Sequence, residues 1–405
     1  MKIACVVHRF GADVAGGSEA HCRHVAERLA LKHDVTVLTT CAKDHISWQN
    51  EYPPGDSEQA GLRIRRFPVV RQRSLHRFKD ISEIAFSGSA TEDEQEQWFR
   101  ENGPDAPGLL EHLHDHGSDY DRVIFWAFRY AEVYFGLPLV AERAILVPTA
   151  EEDPVIRMDV LARFFSLPVG FIFLTPEEQA LVERRMSGPL PPSVVVGSGL
   201  EPAGPRLDVG SDFSRIAQNN GRLESLGIKK PFALYLGRID PNKGCETLLQ
   251  HFIRFKSEHE TAVELVMAGP VNMPIPDHPD VKRLGFVDES VRDALLASAS
   301  MLIVPSRFES LSLVLLEGWN HGVTALVNGH CSVLKGQALR ADGALYYHNY
   351  DEFARALEYL LAHKDVAIQL GRQGLDYVNR EYRWPHVIAQ IEDLLRRIGQ
   401  HRAVV

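Results

Sequence analysis

MLIVPSRFESLSLVLLEGWNHG, residues 301–322, is the stretch whose reading decides the fold. Met301 to Val304 is a short apolar run of the kind that forms a buried parallel strand, and Pro305-Ser306 ends it. After a turn, Leu311, Leu313, Leu315, Leu316 and Trp319 make an apolar stripe with helical spacing, for which Ser310 or Ser312 is the expected N-cap. A helix that starts at the carboxyl edge of a parallel sheet presents unpaired N–H groups and the positive end of its dipole to an anion. Phosphate is the expected guest.

Two carboxylates bracket this anion site, Glu309 just before the helix and Glu317 roughly two turns along it. Carboxylates are poor phosphate ligands and good acceptors for sugar hydroxyls. A phosphate flanked by such acceptors points to a nucleotide sugar, with Glu317 near a ribose and Glu309 near the transferred sugar. The pair resembles the E-x7-E element of the retaining GT-B glycosyltransferases of the family called GT4. The Gly-Phe-Gly-Leu usual after the first Glu is replaced by Ser310-Leu311-Ser312-Leu313, whose backbone amides would still serve the phosphate.

Upstream, a strand expected at Phe232 to Leu236 runs into Gly237-Arg238-Ile239-Asp240-Pro241-Asn242-Lys243-Gly244, before a helix to about Phe255. Arg238 and Lys243 then project from a strand end and a helix start, where two cations can clamp a diphosphate and stabilise it as it leaves. As bare surface charges beside a helix start they would be slightly unfavourable. The segment resembles the G-R-x-x-x-x-K-G element of GT4 and precedes the Glu pair in the family's order. The resemblance implies that Gly237 and Gly269 belong to donor-lining loops. It also implies that Phe286 and Val287, at the end of a strand from Leu284 to Val287, lie by the base. Core packing of Phe286 is the equal alternative.

The totals fit such a protein. A chain of 405 residues with 45% hydrophobic content can bury two sizeable cores. A formal charge of -10 argues against nucleic acid as a general partner. The five cysteines include no C-x-x-C spacing, so neither a disulfide framework nor a zinc site is expected, and a reducing cytoplasm fits. No apolar run approaches the ~18 residues of a spanning helix.

The N-terminal half alternates strand and helix patterns, starting with Lys2 to His8, a loop containing Gly16-Gly17, and a helix N-capped by Ser18 that runs to about Leu31. This alternation calls for parallel strands with helices on both faces, an α/β class of fold. The glycine pair reads equally as a plain turn or as a ligand loop, and GT4 enzymes use this loop at the diphosphate and acceptor. Cys41 to Gly61 reads as a long loop with a Pro53-Pro54-Gly55 break. Arg63, Arg65, Arg66, Arg71, Arg73, Arg77 and Lys79 then place seven cations in 17 residues with no acid among them. That run reads as a solvated strand edge or, more sharply, as a site for an anionic acceptor or acidic lipid headgroups.

His112 and His116 would share a helix face without an evident third ligand, so no metal is expected there. Further on, Thr149-Ala150-Glu151-Glu152-Asp153-Pro154 occupies, by position, the GT4 segment that often carries a His near the reacting sugar. Glu151 stands where that His would be, and no histidine occurs between His116 and His251. The segment would hold a donor hydroxyl or an acceptor through Glu151, or simply cap the next helix.

The resemblance implies a GT-B fold of two facing Rossmann-like domains with a cleft between them. Residues 1–200 would bind the acceptor, 201–230 form the linker and 231–383 hold the nucleotide sugar, with 384–405 as a terminal helix crossing back. It implies a retaining, metal-independent glycosyltransferase with no cofactor beyond its nucleotide-sugar co-substrate. The acceptor would be a glycan, a lipid-linked saccharide or a small molecule, and the enzyme cytoplasmic, with peripheral membrane contact through Arg63 to Lys79. A nucleotide-sugar epimerase or hydrolase and a non-catalytic sugar-nucleotide-binding subunit are the alternatives.

Overall fold

The structure is a computed structural model that describes residues 1–14, 16–203, 221–228 and 231–401. Most of the expected linker, 201–230, lies outside the described residues. The chain divides into two compact units, one made of Met1–Ser198 with the chain from Pro385 on, the other of Gly199–Trp384.

The first unit is built on an eight-stranded sheet. Its strands are β1 (Lys2–Val6), β2 (Asp34–Thr40), β3 (Gly55–Gln59), β4 (Leu62–Phe67), β5 (Arg122–Trp126), β6 (Ala144–Val147), β7 (Gly170–Phe173) and β8 (Ser193–Val195). They lie in the order β3-β4-β2-β1-β5-β6-β7-β8. All pair in parallel except β3, which is antiparallel to β4. The central strands are buried on both faces, as parallel strands covered by helices must be. Phe125, Phe171 and Phe173 from the sheet pack with Phe99, Leu109 and Phe164 from the helices. The helix Trp384–His401 packs here too, through Glu392 on His33 at 3.1 Å and Ile398 over Gly170.

The second unit has six parallel strands, β9 (Phe232–Leu236), β10 (Glu264–Ala268), β11 (Val281–Gly285), β12 (Met301–Val304), β13 (Ala325–Asn328) and β14 (Ala344–Tyr347). Their order is β11-β10-β9-β12-β13-β14. The helix Cys245–Glu258 buries Leu248, Leu249, Phe252 and Phe255 against one face.

Several expectations change. The connection from Cys41 to Gly61 is not loop throughout: after the Pro53-Pro54 break it forms β3, an edge strand whose apolar-free sequence, Gly-Asp-Ser-Glu-Gln, hides it from a hydrophobic-pattern reading. Trp48 in the same connection is fully buried and donates Nε1–H to the Asn102 carbonyl at 2.7 Å. β11 ends at Gly285, so Phe286 and Val287 lie beyond the strand, and Phe286 is 82% exposed rather than core. Strand β14 and the helix Ser332–Ala341 were not anticipated. Helix Gly17–Leu29 starts two residues earlier than expected, with Ser18 inside it and no side-chain cap at Gly16.

The run from Arg63 to Lys79 lacks acids only in sequence. Arg63 pairs with Asp34, Arg65 with Asp56, Arg71 with Glu101 and Asp105, Arg77 with Glu101, and Lys79 with Glu83. Arg66 donates to the Phe10 carbonyl, and Arg73 donates to Asn102 while lying over the Trp48 ring at 4.8 Å. Trp48→Ala removes a fully buried ring from this junction and should cost about 3–5 kcal/mol in urea unfolding. Trp48→Phe, which loses one hydrogen bond to a carbonyl that Arg73 still serves, should cost only about 1 kcal/mol.

Candidate functional site

In the second sheet β9 pairs with β10 on one side and β12 on the other, so the strand order reverses at β9. Open α/β sheets bind ligands at such a point. Asp240 shapes the first of these segments. Its Oδ1 accepts the Lys243 backbone N–H at 3.1 Å and caps the short turn Pro241–Lys243, while Oδ2 pairs with Arg238 Nε. The carbonyl of Arg238 accepts from the Tyr235 hydroxyl at 2.7 Å. Gly244 follows with φ 75, and a Cβ there would overlap the Pro305 carbonyl. The turn after β9 therefore packs backbone to backbone on the end of β12.

That approach places Lys243 Nζ 2.9 Å from Glu309 Oε1, an ion pair between residues 66 apart in sequence. Both side chains remain partly open, at 31% and 13% exposure. Gly269, at the end of β10 with φ 141, would overlap the Gly237 carbonyl if it carried a Cβ. The ends of β9, β10 and β12 thus converge on one corner, with Arg238 and Lys243 tied together through Asp240. Phe286 and half-buried Val287 stand after β11, two strands from β9 in the sheet order.

The loop from Pro305 to Ser312 is anchored from below. Asn328 Nδ2 donates to the Pro305 carbonyl at 3.0 Å, and buried Gln337 donates to the Leu311 carbonyl. Ser312 sits at the N-cap position of the helix Leu313–Asn320 with φ 66, and its side chain caps nothing: Oγ is buried with no partner among the described residues. Ser310 and Leu311 precede it in the loop; the N–H groups of Leu315 and Leu316 donate to the Ser312 carbonyl at 3.1 and 3.4 Å, so the first helical N–H groups beyond intrahelical acceptors are those of Leu313 and Val314. Because the helix begins at Leu313, Glu317 is a little over one turn in, not two. It is directed to Arg292, whose guanidinium lies 2.6 Å from Oε1. Burial raises the Glu317 pKa, with Arg292 opposing.

The other expected residues lie in the first unit. There β1 is flanked by β2 and β5, the equivalent point of reversal. A Cβ at Gly16 would overlap the Glu19 carboxylate, which gives that glycine a structural reason; Gly17 opens the helix. Buried Glu19 accepts from His8 Nε2 at 2.9 Å and from Ser18 Oγ at 2.7 Å and pairs with Arg9. His8, pushed down by burial, stacks on Tyr130 at 3.7 Å.

Glu151 lies on a different loop from both glycines, after β6. Arg129 Nη2 lies 2.8 Å from Asp153 Oδ2 and 3.5 Å from Glu151 Oε2, and Asp153 Oδ1 accepts the Val155 N–H at 3.1 Å. Asp153 therefore does the capping, and Glu151 keeps 26% exposure. Beneath this loop the Glu178 carboxylate accepts the N–H groups of Ala150 and Leu174, each at 2.6 Å.

Asp240, Asn328, Gln337 and Arg292 were not singled out by sequence. Asp240-Pro241-Asn242-Lys243 carries an Asx-turn signal that could have found the first. The others act across the sheet or between helices, where no local pattern marks them.

The fold is GT-B, two Rossmann-like units in one chain. A sucrose-phosphate synthase from Thermosynechococcus elongatus superposes with a TM-score of 0.72 at 17% identity, covering 99% of each chain. HepE from Anabaena, in complex with UDP and glucose, superposes with a TM-score of 0.71 at 12% identity, covering 98% of this chain and 100% of that one. Residues 230–363 match the family model Glycosyl transferases group 1. Glycogen synthase 1 of Synechococcus sp. (strain JA-3-3Ab) is 27% identical over 186 residues, 39% of this chain and 36% of the relative, so the chain aligns with about a third of that protein's length.

Glu178 yields a pH prediction. Burial raises its carboxyl from the ordinary 4.5 to about 8, so the folded protein holds the proton more tightly than the unfolded chain. Its contribution is present below the ordinary carboxyl pKa and is lost as pH rises through about 8, so stability should fall across that window. Urea midpoints measured across it should show a slope that Glu178→Gln flattens, while the amide, facing a backbone N–H, lowers stability at every pH by about 1–3 kcal/mol.

Proposed function

We propose that this chain moves a sugar from a nucleotide-diphosphate sugar to an acceptor hydroxyl, with retention of configuration and without a metal ion. The observation that carries the reading is the corner at the ends of β9 and β12, where Arg238 and Lys243 share Asp240 and Lys243 meets Glu309. Two cations and the first N–H groups of the helix Leu313–Asn320 would take the charge that develops on the leaving diphosphate. That supply of positive charge is what makes a metal dispensable. Glu309 would then exchange its contact with Lys243 for a hydroxyl of the transferred sugar, and Glu317 would accept from the ribose. Phe286, with its ring exposed, would lie against the base, with Val287 beside it. The acceptor oxygen would attack the anomeric carbon on the face from which the diphosphate departs. The UDP and glucose held by HepE, a protein of the same fold, support a UDP-sugar as the first donor to test.

The acceptor is left to the first unit, where Glu151, Gly16 and Gly17 are the residues to probe. The Arg63 to Lys79 run adds little to a case for an anionic acceptor or lipid surface, because ion pairs within the fold already meet its charges. No helix among the described residues is long and apolar enough to cross a membrane, and we place the enzyme in the cytoplasm on its cysteines, all of which are free and buried.

A thermal-shift screen of UDP-, GDP- and ADP-sugars should single out one donor, since a ligand at about 100 times its Kd stabilises by ~2.7 kcal/mol. Turnover of that donor should require added acceptor; turnover without it would indicate hydrolysis or epimerisation instead, and binding with no turnover a sugar-nucleotide-binding subunit. Lys243→Ala should abolish transfer while leaving the unfolding temperature of the free protein within a few degrees of wild type, and wild-type turnover by that variant would remove the clamp from the reading.

A further inference from the structure

Arg292 lies on the helix Glu289–Ser298, which Asp288 caps by accepting the Val291 N–H at 2.9 Å. One of its terminal nitrogens is 2.6 Å from Glu317 Oε1. Its Nε is buried with no hydrogen-bond partner among the described residues, so the guanidinium is not held by a second carboxylate through that atom. Glu317 is 21% exposed, and the helix that carries it begins at the proposed phosphate site.

We propose that Arg292 is a positioning residue for the donor, holding Glu317 as the acceptor of the ribose hydroxyls. The inference rests on the donor-site reading above and adds a residue to it. A hydroxyl-binding carboxylate must be both ionised and aimed. Burial works against the first, and Arg292 opposes burial through its contact at Oε1. The other charged groups nearby are Asp293 on the Arg292 helix, which repels the carboxylate, and His321 at the end of the Glu317 helix, 3.7 Å from Asp293. Among the described residues Arg292 is thus the cation in contact with Glu317. Without it, burial and Asp293 both favour the protonated acid, which can donate to a ribose oxygen but no longer accept from two hydroxyls through charge-assisted bonds.

The test is calorimetric binding of UDP, GDP and ADP to the full chain, with the tightest of them carried forward beside its 2′-deoxy counterpart. Arg292→Gln should weaken the ribonucleotide about 10-fold or more near neutral pH, in line with loss of one charge-assisted hydrogen bond. The loss should shrink as pH rises and Glu317 ionises on its own, and should be smaller for the 2′-deoxy nucleotide. Arg292→Lys, which keeps the charge, should bind like wild type with a flat pH profile, and it also serves as the test should the Gln variant not fold. Equal Kd values for wild type and Arg292→Gln across pH would overturn the role of Arg292 while leaving the donor site intact. Equal losses for ribo- and deoxyribonucleotide would overturn it in favour of a merely structural contact. No binding of any of the three by the wild-type protein would overturn the donor-site reading, and this inference with it.

Discussion

Where β9 and β12 end side by side, the chain has no room for side chains between its two turns. Gly244 lies against the Pro305 carbonyl and Gly269 against that of Gly237. These backbone contacts set the distance at which everything else in the second unit operates. They bring Lys243 and Glu309 to 2.9 Å although 66 residues separate them, and they put the start of the helix Leu313–Asn320 at the same edge. A Cβ at either glycine would overlap a backbone carbonyl and push the strand ends apart.

The charges gathered at that edge are met in pairs. Arg238 and Asp240, Lys243 and Glu309, and Arg292 and Glu317 each put a cation on a partly enclosed carboxylate. Such pairing is the ordinary condition for charge near a protein interior, because an unpaired ion there forfeits its hydration. Here it also presets the side chains. The first unit repeats the device at its own point of reversal, with Arg9, His8 and Ser18 around Glu19, and once more where Arg129 meets Asp153 and Glu151. A comparable economy explains the basic run after β4: in sequence it is a block of uncompensated cations, and in the fold its acids arrive from Asp34, Asp56 and Glu101.

Much was legible in order along the chain. Apolar runs four or five residues long marked β9, β12 and β13, since a parallel strand covered on both faces has no polar positions to blur it. The spacing of Arg238, Lys243 and Glu309 put them at strand ends and turns, and the structure brings these three near one another, whereas Glu317 is directed to Arg292. Less was legible where polarity replaced pattern. The edge strand β3 carries no apolar residue, and β11, partly exposed throughout, was read three residues late, which moved Phe286 from a strand to a turn.

The sequence alone therefore determined most of the strands and helices of the two cores, though not β3, β14 or the helix Ser332–Ala341, and which charged residues stand at their ends, because burial and backbone geometry act on neighbours in the chain. Only the tertiary structure decided which charges meet. Glu317 finds Arg292, Lys243 finds Glu309 and Arg63 finds Asp34 across strands and helices that are distant in sequence, and an ion pair depends on separation in space, about which the order of residues is silent.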